Sequence, residues 1–160
     1  MKHPMRKSKK EITDIEQMIE VLDTCKVFRL AVIDEGVPYI VPLNYGYTLE
    51  DNQLTLYFHS AGEGRKIDVL KKNPRVAFEM DCGFELIKGE VACDFNNKYR
   101  SITGTGIAEF LETNEEKLVG LEALMRQYDA SKLGTFKEEV VSRTCVVRIR
   151  AEEYAGKQLV

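Results

Sequence analysis

At 160 residues, with 44% apolar and 31% charged side chains, the chain has the make-up of one globular domain rather than of a disordered or fibrous protein. A net charge of −3 gives no general attraction for nucleic acid, and no apolar run approaches the ~20 residues of a membrane span. The amino terminus lacks the apolar core of a secretory signal, and Cys25, Cys82, Cys93 and Cys145 form no C-x-x-C pair, so the expectation is a cytoplasmic protein with reduced thiols and no bound metal.

Residues 1–10 are basic and lack apolar periodicity, which predicts a flexible start ahead of a single domain over 11–160. Thr13-Asp14-Ile15-Glu16 has the form of a capping box, and Ile15, Met18, Ile19 and Leu22 recur on one helical face, predicting a helix over 13–25. Antiparallel strands over 27–34 and 37–48 follow, hinged at Asp34-Glu35-Gly36-Val37. Pro38 and Pro42 lack amide donors, so the second strand belongs at an edge, a bulge or a barrel mouth.

A third strand sets Leu54, Leu56 and Phe58 on one face and Thr55, Tyr57 and His59 on the other. Ser60 and Glu63 have the spacing of a second capping box, leading into a short helix that stops at Asn73-Pro74. The fourth strand is 75–81. Residues 82–98, with Gly83, Gly89 and Asn96-Asn97, read as a loop. A long strand over 99–112 carries Gly104 and Gly106, where another backbone or a flat ligand can approach closely. A helix over 114–128 on Leu118, Leu121, Leu124 and Met125, and a last strand over 143–154, complete an α+β fold, a six-stranded antiparallel barrel with flanking helices.

The stretch with chemical content is His59-Ser60-Ala61-Gly62-Glu63-Gly64-Arg65-Lys66, a strand end that enters a helix through glycines and two cations. The first amides of a helix have no internal partners and its dipole favours an anion there, so this junction can hold a phosphate. Arg65 and Lys66 would supply charge, Ser60 and the amides near Gly62 and Gly64 neutral donors, and Glu63 opposes them. The same residues equally describe a solvated helix start, and no short phosphate fingerprint is present. His59 suits a hydrogen-bond donor or proton carrier as well as a local strand-end contact. With no nucleophile elbow and no H-E-x-x-H helix, an enzyme built from this chain would take its reactive atoms from a cofactor.

The succession P-L-N-Y-G-Y, L-Y-F-H-S-A-x-E-G-R-K-I-D-x-L, N-P-R-V-x-F and Y-R-S-I-x-G-x-G resembles the pyridoxamine 5′-phosphate oxidase-like flavoproteins, most of all their nitroimidazole-resistance branch, over about residues 11–157. The resemblance implies a split β-barrel and a homodimer that binds FMN in two clefts between subunits. It implies that Val41, Pro42, Leu43, Asn44 and Tyr45 run beside the flavin ring with main-chain groups at its polar edge. His59, Ser60 and Ala61 would line the ribityl and ring side, and Gly64, Arg65 and Lys66 the phosphate. Tyr99, Arg100, Ser101 and Thr103 would reach in from the second subunit, and His59 would be the functional residue near the ring. The activity implied is an oxidoreductase passing electrons from a reduced nicotinamide to a small acceptor such as a nitroaromatic; the alternatives are a non-catalytic flavin- or haem-binding module and a structural dimer with an empty cleft. Residues 82–98 match no substrate-binding pattern, and the residues by which true pyridoxamine-phosphate oxidases grip their substrate are not evident.

Overall fold

In the computed structural model, which describes residues 5–160, the order is β1 (Glu11–Ile12), α1 (Ile15–Thr24), β2 (Val27–Asp34), β3 (Val37–Asn44), β4 (Gly46–Glu50), β5 (Gln53–Ser60), α2 (Arg65–Lys72), β6 (Arg75–Ile87), β7 (Asn96–Phe110), α3 (Asn114–Tyr128), α4 (Glu138–Arg143) and β8 (Cys145–Leu159). The segment expected to be flexible falls partly on residues 1–4, outside the described residues; Ser8–Lys10 form a 3-10 turn, and Lys10 Nζ stands 5.9 Å from the centre of the Tyr99 ring.

One antiparallel sheet takes the order β3-β2-β6-β7-β8-β5-β4, with β1 added along β8. Its two edge strands, β3 and β4, are consecutive in the chain, and Tyr45 alone separates them. One residue spans at most ~3.6 Å, so the sheet has to curl until its opposite edges meet there. No ladder joins β3 to β4, and the result is a split antiparallel barrel that does not close.

Phe28, Leu30, Leu54, Leu56, Phe58, Phe78, Met80, Ile102 and Ile149 fill the interior. A smaller cluster forms outside it, where α3 lays Leu121, Ala123 and Leu124 over Tyr57 and Val146. Tyr45 is fully buried and its hydroxyl donates to the Leu22 carbonyl at 2.6 Å, while Gln127 Nε2 donates to the carbonyls of Leu22 and Cys25, each at 2.7 Å. These donors take up carbonyls that the end of α1 leaves without helical partners. Burial pushes the Tyr45 hydroxyl far above the usual phenol range.

Several expectations change. Eight strands replace six, because the predicted 37–48 strand breaks at Tyr45 and β1 adds a two-residue pairing with β8. Residues 82–98 are only partly a loop: β6 continues to Ile87 and β7 begins at Asn96, around a register shift between Cys82 and Glu85. Asp14, not Thr13, caps α1, its carboxylate accepting from the Glu16 amide at 3.0 Å. The Ser60/Glu63 box does not form, since Ser60 stays in β5 opposite Cys145 and the cap of α2 falls to Gly64. The buried face of α3 includes Lys117, Gly120 and Gln127, which apolar periodicity cannot show.

A Cβ on Gly46 would stand 2.2 Å from the carbonyl carbon of Ala123 and 2.2 Å from the Leu124 amide, so α3 seats backbone to backbone on β4. Gly46→Ala is expected to cost about 3 kcal/mol through overpacking, read as a lower urea midpoint at unchanged m-value.

Candidate functional site

The corner where β5 gives way to α2 is built by what its helix lacks. α1 and α3 have side-chain caps, with Thr113 accepting the Glu116 amide at 3.2 Å as Asp14 accepts that of Glu16. α2 has none: its cap is Gly64, at a φ of 112° that side-chain-bearing residues rarely adopt. The Ile67 amide turns back to the Gly64 carbonyl at 2.9 Å, and the amides of Arg65 and Lys66 are left to an outside acceptor. The Cβ positions of Gly62 and Gly64 meet nothing within 4 Å, so the space before the helix is open.

Arg65 is held in place over this opening. Its Nε bonds the Asp34 carboxylate at 2.7 Å, and its guanidinium carbon lies 4.2 Å from the centre of the Tyr39 ring. Using Nε for the ion pair leaves the two terminal nitrogens to grip another anion in the fork geometry that suits phosphate. Asp34 and Tyr39 both belong to the β2–β3 hairpin, and nothing in their sequence spacing from Arg65 predicts that they meet it. Lys66, half-buried, also contributes: burial raises the Cys145 thiol, while the Lys117, Lys71 and Lys66 cations oppose that rise, which places positive potential around the β8 end that pairs with Ser60. Lys117 is itself buried and anchored, with its Nζ donating to the Ser142 carbonyl at 2.9 Å.

His59 sits exposed next to Ser60, opposite Val146. Ala61 begins the linker to Gly64. Val41, Pro42, Leu43 and Asn44 form the second half of edge strand β3, whose far side carries no strand among the described residues. Asn44 and Tyr45 spend their side chains on the fold: Asn44 Nδ2 donates to the Tyr128 hydroxyl at 2.9 Å and the Lys26 carbonyl at 3.2 Å, and the Tyr45 ring points inward. What these two positions offer a ligand is main chain.

The second group lies elsewhere. Tyr99, Arg100, Ser101 and Thr103 pair with Leu159, Gln158, Lys157 and Ala155 of β8, whereas Ser60 pairs with Cys145 near its start. At ~3.3 Å per residue, roughly 40 Å of strand separates Ser101 from Ser60. One chain therefore brings His59, Ser60, Ala61, Gly64, Arg65 and Lys66 together and keeps the β7 residues apart from them. Arg100 is paired with Glu20 at 2.5 Å, and Tyr99 and Arg100 line a cavity of about 260 Å³ with Cys82, Gly83, Lys98 and Val160. The close neighbours of Gly104 and Gly106 are the chain's own: a Cβ would stand 2.3 Å from the Phe78 ring and 2.3 Å from the Arg150 carbonyl oxygen respectively.

The family described as pyridoxamine 5′-phosphate oxidase matches residues 14–158. A solved structure described as a candidate 5-nitroimidazole antibiotic resistance protein from Bacteroides thetaiotaomicron is 30% identical, with a TM-score of 0.79 over 92% of this chain and 86% of that one. The flavocytochrome Anf3 from Azotobacter vinelandii is 19% identical, with a TM-score of 0.80 over 99% of this chain and 73% of that one. The FAD and heme binding protein from Mycobacterium smegmatis is 18% identical, with a TM-score of 0.80 over 93% and 73%. At that identity the last two show the fold alone. No curated protein matches the chain at a significant level.

The side chains of the Arg65–Asp34 pair keep 59% and 21% of their exposure, so the pair positions Arg65 more than it holds the fold together. Asp34→Ala is expected to change unfolding free energy by less than about 1 kcal/mol in a urea titration.

Proposed function

The chain belongs to the pyridoxamine 5′-phosphate oxidase family, and from that premise we propose that it is an FMN-binding oxidoreductase that passes electrons from a reduced nicotinamide to a small acceptor such as a nitroaromatic. The observation that carries the reading is the amino end of α2. Uncapped amides, open space at Gly62 and Gly64, and an arginine pre-set by Asp34 and Tyr39 fit a phosphate monoester with close to two negative charges. Arg65, Lys66, Ser60 and the Gly64 region would hold that phosphate.

When bound, FMN would supply the two-electron chemistry that no side chain here can. The chain's own part is to bind, orient and shield it. Main-chain groups of Val41, Pro42, Leu43, Asn44 and Tyr45 on the open edge would fix the ring, Ala61 would line its ribityl side, and His59 would hold a proton near the ring edge. The roughly 40 Å of β8 strand that lies between the partners of Ser60 and Ser101 supports a homodimer in which Tyr99, Arg100, Ser101 and Thr103 of one chain complete the site of the other, twice by symmetry. A nitroaromatic acceptor is supported by the likeness to the Bacteroides protein. No helix among the described residues is long and apolar enough to cross a membrane, and the proposal takes diffusible, cytoplasmic substrates.

Arg65→Ala combined with Lys66→Ala removes two charged hydrogen-bonding groups, together about 3–6 kcal/mol, so FMN affinity is expected to fall at least ~100-fold and the protein to purify colourless. A variant that stays yellow at full occupancy would overturn the phosphate assignment. His59→Ala is expected to keep FMN affinity within about threefold while slowing acceptor reduction at least ~10-fold in stopped-flow traces. Wild-type protein should bleach near its visible flavin band on anaerobic addition of NADH or NADPH and recover with a nitroaromatic; a binding module would do neither.

A further inference from the structure

Two of the chain's four cysteines meet where the barrel interior ends. Cys25 closes α1, its amide donating to the Val21 carbonyl at 3.0 Å and its carbonyl accepting from Gln127 Nε2 at 2.7 Å, and its side chain is part of the interior cluster. Cys82 packs against that cluster from β6, at the last pairing before the register shifts, and Gly83 follows it at a φ of 71°. The two thiols are hydrogen-bonded to each other.

Register, not sequence spacing, brings them together. β2 and β6 pair Arg29 with Glu79, and the same register carried three positions further sets Lys26 opposite Cys82, one place from Cys25. Across antiparallel strands that offset leaves the Cα atoms roughly 6 Å apart, inside the ~4.4–6.8 Å that a disulfide spans. The irregular backbone after Cys82 lets its side of the pair turn, while α1 holds Cys25 fixed.

Their surroundings differ. Cys82 lines a cavity of about 260 Å³ with Thr24, Gly83, Tyr99 and Arg100, ample for a molecule little larger than water. Cys25 is 3% exposed, and burial, then the neighbouring Cys82, push its thiol far above the usual range, so it is not the first of the two to react.

We propose that Cys25 and Cys82 form a dithiol that hydrogen peroxide oxidises to a disulfide, with Cys82 as the attacking thiol and Cys25 as the resolving one. The Cys82 thiolate attacks one peroxide oxygen, the O–O bond breaks, the departing hydroxide takes up a proton as water, and Cys82 becomes a sulfenic acid. The Cys25 thiol then attacks the Cys82 sulfur, the S–O bond breaks, and the hydroxyl leaves with the Cys25 proton as a second water. Two electrons pass from the pair to the peroxide, and a dithiol reductant reverses the change. Neither step involves the cofactor corner.

The test uses the full-length protein, reduced and freed of reductant. After one equivalent of hydrogen peroxide and denaturation it is expected to fall from four titratable thiols to two, to lose two hydrogens in intact mass, and to yield on proteolysis a peptide linking Cys25 to Cys82 that dithiothreitol splits. Four remaining thiols, or a bridge through Cys93 or Cys145 instead, would overturn the pairing. In Cys25→Ser the peroxide-treated protein is expected to form no bridge and to carry a dimedone adduct on Cys82, whereas in Cys82→Ser the Cys25 thiol is expected to remain unlabelled. Labelling of Cys25 there, with none of Cys82 in the first variant, would overturn the assignment of roles.

Discussion

A single residue joins the two edges of the sheet, and the rest of the molecule follows from accommodating it. Because Tyr45 alone connects β3 to β4, strands at opposite ends of the sheet must come together, and the curl that does this creates the barrel interior. The linking ring then finds itself buried with a hydroxyl that would cost about 1–3 kcal/mol if left unpaired. Leu22 takes that hydroxyl, Gln127 satisfies the neighbouring carbonyls, and Tyr128 donates to the Lys26 carbonyl while receiving the Asn44 amide. The end of α1, the end of β3 and the end of α3 are tied at one point, and Gly46 lets α3 close on it.

That curl has two consequences for the candidate site. It leaves β3 as an open edge beside the α2 corner, where Pro38 and Pro42 could not have donated to another strand anyway. It also sets β8 against two partners of unequal reach: β5 pairs with residues 145–150, whereas β7 follows β8 to Leu159. The cationic corner and the β7 polar group therefore stand at opposite ends of one strand. A ligand needing both would have to lie between two chains, and the α2 corner, with its cap left to glycine, is the end suited to an anion.

Legibility in the sequence tracked how local the cause was. The Asp34-Glu35-Gly36-Val37 turn was readable because Gly36 takes a φ of 84°, which glycine favours in two-residue hairpins, although Glu35 beside it takes 51°. The start of α3 was readable because Thr113 caps it within one turn. The break at Tyr45 was not, since Asn44 and Gly46 flank it without forming a turn dipeptide and only the curl of the whole sheet separates its halves. Lys117 and Gln127 are buried because they meet Ser142 and the end of α1, partners 25 and more than 100 positions away. Nor could spacing show Asp34 and Tyr39 around Arg65, across 31 positions of chain.

The sequence by itself determined the α+β class, the edge character of the proline-bearing strand, and the presence of a glycine-flanked cationic helix start, because proline geometry, side-chain alternation and helix-end chemistry act over a few residues. The tertiary structure alone decided that Arg65 is braced by a hairpin, that Asn44 and Tyr45 offer only main chain, and that the β7 residues stand ~40 Å along β8 from the corner. Those facts depend on sheet order and register, which are set by packing the whole interior at once rather than by any neighbouring pair of residues.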